Sequence, residues 1–242
     1  MIQQYTVLDP SLGTDKSEWV SGDSEDWTYY IDEANHMIWL NKYIGNSTNV
    51  TVPDYFRRFP SYKISYNGKA VYPGVFYITN ANGDSVTDAA IGIDVGNRIN
   101  NSAYQMFANS KSLTNASTVG TLQAANCAYI FNNCRNLVDC SNFVFDNKFC
   151  NLSYAFSNCA NLTYAPEIKD ASMLVSTFSN QYMPLQTMPT IPDSVTNMTK
   201  TFYDCRNITN TISYIPDSVS SLRQCFQNCT SMKGIIEKAS AY

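Results

Sequence analysis

Thr201–Val219 reads TFYDCRNITNTISYIPDSV, and Tyr154–Ile168 reads YAFSNCANLTYAPEI. Each carries a Phe, a Cys three residues later, and an aliphatic residue three beyond that. The phrase extends past these two stretches: Phe107, Phe131, Phe156, Phe178, Phe202 and Phe226 recur at spacings of 24, 25, 22, 24 and 24. With each Phe as position 0, position +3 holds Ser110, Cys134, Cys159, Gln181, Cys205 and Cys229. Position −4 holds Ala103, Cys127, Leu152, Leu174, Met198 and Leu222. Position +6 holds Leu113, Leu137, Leu162, Pro184, Ile208 and Met232, with Leu185 one place later in the odd coil. Position +2 is nearly uniform, running Asn109, Asn133, Asn158, Asn180, Asp204 and Asn228.

A fixed period in the twenties marks a leucine-rich solenoid, one coil per repeat. A coil of that length cannot bury its apolar side alone, so it stacks on copies of itself. Equivalent residues then sit above one another, about 4.8 Å apart where strands pair. The Phe, aliphatic and Cys rows are expected to face inward, and the Asn row to occupy turns that its amide can satisfy. The coil at 178–201 has QYMPLQ in place of CxxL and is expected to carry a local bulge.

Eight Cys are present, and four of them belong to the inward row. Stacked side chains point the same way, whereas a disulfide needs its two Cβ atoms turned toward each other. Small buried thiols are therefore expected, with no call for an oxidising compartment. Cys127, Cys140, Cys150 and Cys225 fall outside the row of four.

The chain has 242 residues, 44% of them hydrophobic and only 15% charged, so Tyr, Asn, Ser and Thr carry the surface polarity. Residues 1–102 hold 12 acids and 7 bases; residues 103–242 hold 8 and 9. No basic excess points to DNA or RNA. The start MIQQYTVLDPSLGTDKSEWV lacks the basic and apolar regions of a secretion signal, and no run of about 18 apolar residues spans a membrane. The expectation is a chain without an export route of its own.

FSNCANLTYAPEI, FYDCRNITNTISYIPDSV and FQNCTSM resemble the BspA-type leucine-rich repeats, whose units run as F-x-x-C-x-x-L followed by I-P-x-S-V. PDSVTNMTKTF is similar to related repeats of bacterial surface lipoproteins. WTYYIDEANHMIWLNKYIGNSTNVTVPDYF (27–56) resembles the strand-rich opening that precedes such repeats. The likeness covers 103–242 and 27–56, and fades over 57–102. It implies a mainly β, leucine-rich-repeat solenoid with short parallel strands and a β-hairpin cap at its N-terminal end. It also implies a binding role toward proteins or glycans, and no activity. Surface members carry an export signal and an anchor. Similar repeats also occur in tail proteins of phages of gut bacteria, so the expected setting is the virion, as a host-recognition component, with a purely structural virion decoration or assembly subunit and a bacterial cell-surface adhesin as the alternatives.

Three regions follow: an arm at 1–26, a strand-rich cap with irregular first coils at 27–102, and about six coils at 103–242. The arm is acid-rich with Lys16 as its one base, too polar for a core, and is assigned to attachment to other virion proteins. The cap would cover the open edge of the first coil. Within 57–102, KISYNGKAVYPGVFYIT suits a hairpin turning at Asn67-Gly68.

Chemistry leaves little trace. The single His, His36, has no Cys at ligand spacing and suits a hairpin turn. Glu25 with Asp26, and Asp32 with Glu33, read as solvated acidic positions. Asn82, Asp84 and Asp88 hint at a calcium loop, but the Gly is misplaced for one. No phosphate loop is present. The expectation is no enzyme, no cofactor and no metal. Position +4 is more informative, holding Lys111, Arg135, Ala160, Tyr182, Arg206 and Thr230 beside the inward Cys row. Arg and Tyr anchor interfaces, and Tyr suits sugars or proteins. Lys111, Arg135, Tyr182, Tyr203 and Arg206 are the candidate contacts with a host surface protein or glycan, with Tyr164 and Tyr214 as further aromatics. A plain polar turn accounts for each of them singly. Self-association stays open.

Overall fold

The computed structural model describes residues 27–32, 36–43, 49–52, 63–65, 88–91 and 103–233, less 119, 120, 181, 187, 211 and 213. Upstream of residue 103 it describes the side chain of His36 alone. The arm at 1–26, the turn at Asn67-Gly68, and Asn82 and Asp84 of the calcium reading lie outside the described residues.

Every regular element described is a strand. β1 (Trp27–Asp32) and β2 (Met37–Tyr43) pair antiparallel. Both are rich in the aromatic and β-branched residues that suit a pleated surface. His36 stands in the turn between them with φ of 52°, the hairpin position expected for it. β3 is Asn49–Val52, and β4 (Lys63–Ser65) pairs parallel to β2. β5 (Asp88–Ile91) pairs parallel to β3, and β6 (Asn115–Thr118) pairs parallel to β5. β7 (Val144–Asp146) and β8 (Glu167–Asp170) also pair in parallel.

The β3–β5–β6 register runs Asn49, Asp88, Asn115, and isolated bridges carry that column on to Asp139 and Tyr164. This parallel column therefore begins at Asn49, well upstream of the first repeat Phe. A second column of bridges links Asn126, Asn151, Met173, Asn197 and Ser221, one residue from each of five coils.

Between the columns the backbone weaves a fixed pattern. N–H groups at positions −4, −2, 0 and +2 donate to carbonyls of the next coil. Leu152, Tyr154, Phe156 and Asn158 donate to Met173, Val175, Thr177 and Ser179 at 2.8 to 3.2 Å. The N–H groups at −1, +1 and +3 turn back three residues within their own coil, as Ala155 does to Leu152 and Cys159 to Phe156. Each buried amide is thereby satisfied without a continuous sheet. The alternation requires left-handed residues at −2 and +2. Position +2 has φ near 65° at Asn109, Asn133, Asn158 and Asn228, and 61° at Asp204. Asn and Asp tolerate that region best after Gly, which explains the uniform row.

The six Phe rings form one column, with consecutive centroids 5.1, 5.2, 5.4, 5.5 and 5.7 Å apart. The first five are fully buried and Phe226, in the last coil, is partly buried. Positions −4 and +6 flank the column: Leu152, Leu162, Leu174, Met198 and Ile208 are all inaccessible to solvent. Position +3 faces inward as expected, and all eight cysteines are free thiols. The thiols also bond: Cys134, Cys159, Cys205 and Cys229 donate from Sγ to the Phe carbonyl of the coil before, at 2.9 to 3.1 Å. Cys127 and Cys225 lie on the inward −4 and −1 rows, and Cys140 and Cys150 are buried beside them. In the odd coil Met183 and Leu185 turn inward on either side of the half-buried Pro184. Tyr182 there takes a φ of 72°.

Candidate functional site

Position +4 is exposed or half-buried in every coil, whereas positions −2, +1 and +2 mix exposed and half-buried residues with buried ones such as Ala108, Ser157, Ser176, Ser179 and Asp204. Position +4 carries the predicted candidates, and Lys111, Arg135, Tyr182 and Arg206 are exposed on it. Their orientation follows from the turn at +2. Arg135 donates from Nε to Asn133 Oδ1 at 3.0 Å, and Arg206 donates from Nε to Asp204 Oδ1 at 2.9 Å. Two coils thus use one device, in which the left-handed residue at +2 holds the guanidinium at +4.

The two halves of the row differ. At the C-terminal half the structure brings Tyr182, Tyr203 and Arg206 together. Asn207 donates from Nδ2 to the Tyr182 carbonyl at 3.0 Å, tying the two coils. Asp204 raises the Arg206 pKa above its ordinary value, and Tyr182 and Tyr203 add smaller contributions in the same direction. Tyr182 is 56% exposed. Lys200 joins this group, its Nζ 5.3 Å from the Tyr203 ring centroid. At the N-terminal half Lys111 and Arg135 occupy neighbouring coils whose corners are joined by Asn133 Nδ2 donating to Asn109 Oδ1 at 2.8 Å. Ala160 separates the two halves, so the row is two charged clusters rather than one ridge.

Tyr164 and Tyr214 are exposed elsewhere. Tyr164 stands in the bridge column beside Asp139, and the Tyr214 hydroxyl donates to Asp193 Oδ1 at 3.3 Å.

The sequence reading missed position −2. Tyr129 and Tyr154 occupy it in adjacent coils with their rings stacked 4.8 Å apart at 8°, and Tyr104 meets Tyr129 edge-on at 5.8 Å. Both stacked residues are left-handed, with φ of 59° and 58°. A bulky residue there is uncommon and costs on the order of 1 kcal/mol. The signal that finds the row is the same spacing, since position −2 is Gln105, Tyr129, Tyr154, Ser176, Lys200 and Gln224. Phe149 was also missed; it is 68% exposed with Lys148 Nζ 5.1 Å from its ring centroid. Among the described residues no group of three or more His, Cys, Asp or Glu is placed to hold a metal ion.

This stack has a counterpart among solved structures. A crystal structure of a leucine rich cell surface protein from Faecalibacterium prausnitzii A2-165 superposes with a TM-score of 0.53 and 19% identity. The fold is a leucine-rich one. The match covers 93% of this chain and 55% of the other, so the chain spans about half of that protein's length. No protein-family model matches the chain, and no curated protein does. The leucine-rich fold places the repeat rows inside and leaves outward positions free to vary, which is where Tyr, Arg and Lys concentrate here.

Proposed function

We propose that this chain is a non-catalytic recognition protein, a BspA-type leucine-rich-repeat solenoid displayed at a bacterial cell surface. It binds a surface protein or glycan of another cell through its outward side. The observation that carries this reading is the cluster of Tyr182, Tyr203, Arg206 and Lys200 held in place across two coils. Arg and Tyr are the residues that dominate interface energetics, and here neither type is needed by the core. The solved leucine-rich relative is a cell surface protein, which supports the same setting.

Labelled full-length chain, titrated on whole bacteria and on cultured epithelial cells, tests the reading. Saturable binding that Arg135→Glu with Arg206→Glu weakens at least tenfold, at unchanged thermal stability, is the expected result. Equal binding by the double variant would remove the charged clusters from the site. Recovery of the native chain in purified phage particles rather than in the cell envelope would move the same recognition role to a virion, with the arm at 1–26 as its attachment.

A further inference from the structure

The charges of the stack are sorted between its two walls. The bridge columns that start at Asn126 and at Asn115 divide each coil into a Phe wall, positions −5 to +7, and a return wall from +8 onward. The walls face each other across the core, where Phe143 and Phe145 of the return wall meet Phe131 and Phe156 edge-on at 5.1 and 6.2 Å. Among the described residues of the six coils, the Phe wall carries Lys111, Arg135, Lys200, Arg206, Arg223 and Lys233 against one acid, Asp204. The return wall carries Asp139, Asp146, Glu167, Asp170, Asp193 and Asp217 against two bases, Lys148 and Lys169. Six bases less one acid give the first wall +5; two bases less six acids give the second −4.

Folding does not require this sorting. The return wall accepts either sign at outward positions, since Lys169 lies between Glu167 and Asp170 on β8. On the Phe wall every base is exposed except Lys200, which is half-buried, and the one acid is held by Arg206 at 2.9 Å. Lys111 and Arg135 stand in the first two coils and the other four bases in the last two. From Lys111 to Lys233 there are five steps between coils, at about 4.8 Å each roughly 24 Å. A ligand that engages both ends is a chain rather than a small ion. The coils between them expose Tyr154 and Tyr182, the only large apolar side chains fully exposed on this wall among the described residues. A protein partner would favour an apolar centre depleted of charge, which this wall lacks. A glycan chain carrying anions needs cations at intervals and Tyr faces for its C–H surfaces.

We propose that the Phe wall binds an acidic polysaccharide, a glycan chain bearing sulfate or carboxylate groups, laid along the stack from Lys111 to Lys233. The inference rests on the recognition reading above and names its ligand class and the wall that takes it. The return wall repels the same chain, so the ligand meets the molecule from one side.

The test titrates the full-length chain on surfaces carrying dextran sulfate, polygalacturonate, neutral dextran or polyglutamate, at low and at high salt. The chain as a whole carries −4, so a polyanion is repelled unless it finds the sorted wall. Arg223→Glu and Lys169→Glu change the charge equally at exposed positions, one on each wall, and Lys111→Glu probes the far end of the Phe wall. The expected result is saturable binding to both charged polysaccharides and none to neutral dextran, weakened by salt. Arg223→Glu and Lys111→Glu each lower it at least threefold, Lys169→Glu leaves it unchanged, and thermal unfolding shows all three variants folded. Equal loss in Arg223→Glu and Lys169→Glu overturns the proposal, as does binding to neutral dextran as tight as to the charged chains. Binding to polyglutamate as tight as to either charged polysaccharide also overturns it, in favour of an acidic protein. No binding to any polyanion while the chain still binds whole cells overturns it and leaves the recognition reading standing. Absence of binding to both cells and polysaccharides overturns both.

Discussion

Cys134, Cys159, Cys205 and Cys229 each fill a narrow inward position and donate to a Phe carbonyl of the coil before, which for Cys134, Cys159 and Cys229 also accepts one backbone bond. Ala at such a site loses both volume and donor. Ser keeps the donor, and Ser110 already stands at that position in the first coil. Cys159→Ala is therefore expected to destabilise by about 1–3 kcal/mol and Cys159→Ser by less, measured as a shift in urea midpoint. A Ser variant no better than Ala would mean that the thiol acts by packing alone. Burial pushes the Cys134 and Cys225 thiols from the ordinary value of 9.0 up to about 12. It drives Cys127, Cys140 and Cys159 up as well. Unfolded thiols ionise first, so stability is fully present below pH 9 and falls between 9 and 12. Each such thiol adds up to about 1.4 kcal/mol per pH unit to the slope. Urea midpoints at pH 6.5, 8 and 10.5 check this: little change over the first interval and a clear drop over the second. The spacing of the Cys row disclosed which way the thiols face. It did not disclose their acceptors, because periodicity carries direction and says nothing of what lies one coil away.

At the scale of the coil, the decisive element is the alternation of amides that left-handed residues at −2 and +2 allow. Asn158→Gly relieves the backbone at a φ of 64° and is expected to cost a few tenths of a kcal/mol at most. Asn158→Ala puts a Cβ where it is disfavoured and is expected to cost about 1–2 kcal/mol. Thermal unfolding of the two variants decides between them, and an Ala variant as stable as Gly would show that the turn relaxes. The Asn row was legible at +2 because Asn is a recognisable answer to that conformation. The equal demand at −2 was illegible, since Gln105, Tyr129, Ser176 and Lys200 share no chemistry. There the next coil's carbonyls impose the conformation whatever the side chain.

For the molecule as a whole, stability is carried between neighbours, and the stack is weakest where a neighbour is missing. Leu222, Gln224, Phe226 and Asn228 have no acceptor for their N–H groups among the described residues, whereas the same positions in the coil of Phe156 are all bonded. Amide exchange is expected to be fast at the first set and slowest around Leu152–Asn158, read by peptide-resolved mass spectrometry. Uniform protection would show that the last coil is covered. Phe156→Ala is expected to cost about 3–5 kcal/mol, and Phe226→Ala less than half as much, since Phe226 is only partly buried and has one ring neighbour in its column. The repeat region was legible because its period holds from Phe107 to Phe226. The upstream column from Asn49 through Asp88 to Asn115 was not, because its steps of 39 and 27 residues break the period that reveals the rest.

Because the backbone bonds along the Phe segment of each coil join fixed offsets, donors at −4, −2, 0 and +2 to acceptors at −5, −3, −1 and +1 of the next, that pattern has no memory of which coil it is in. A duplicated segment of 24 residues, copied in frame beside its parent, meets the same acceptors below and offers the same donors above. Genetic duplication can therefore lengthen this protein one coil at a time without redesigning its core, while each new copy brings outward positions free to diverge. A gene built this way can change what it touches far faster than how it folds.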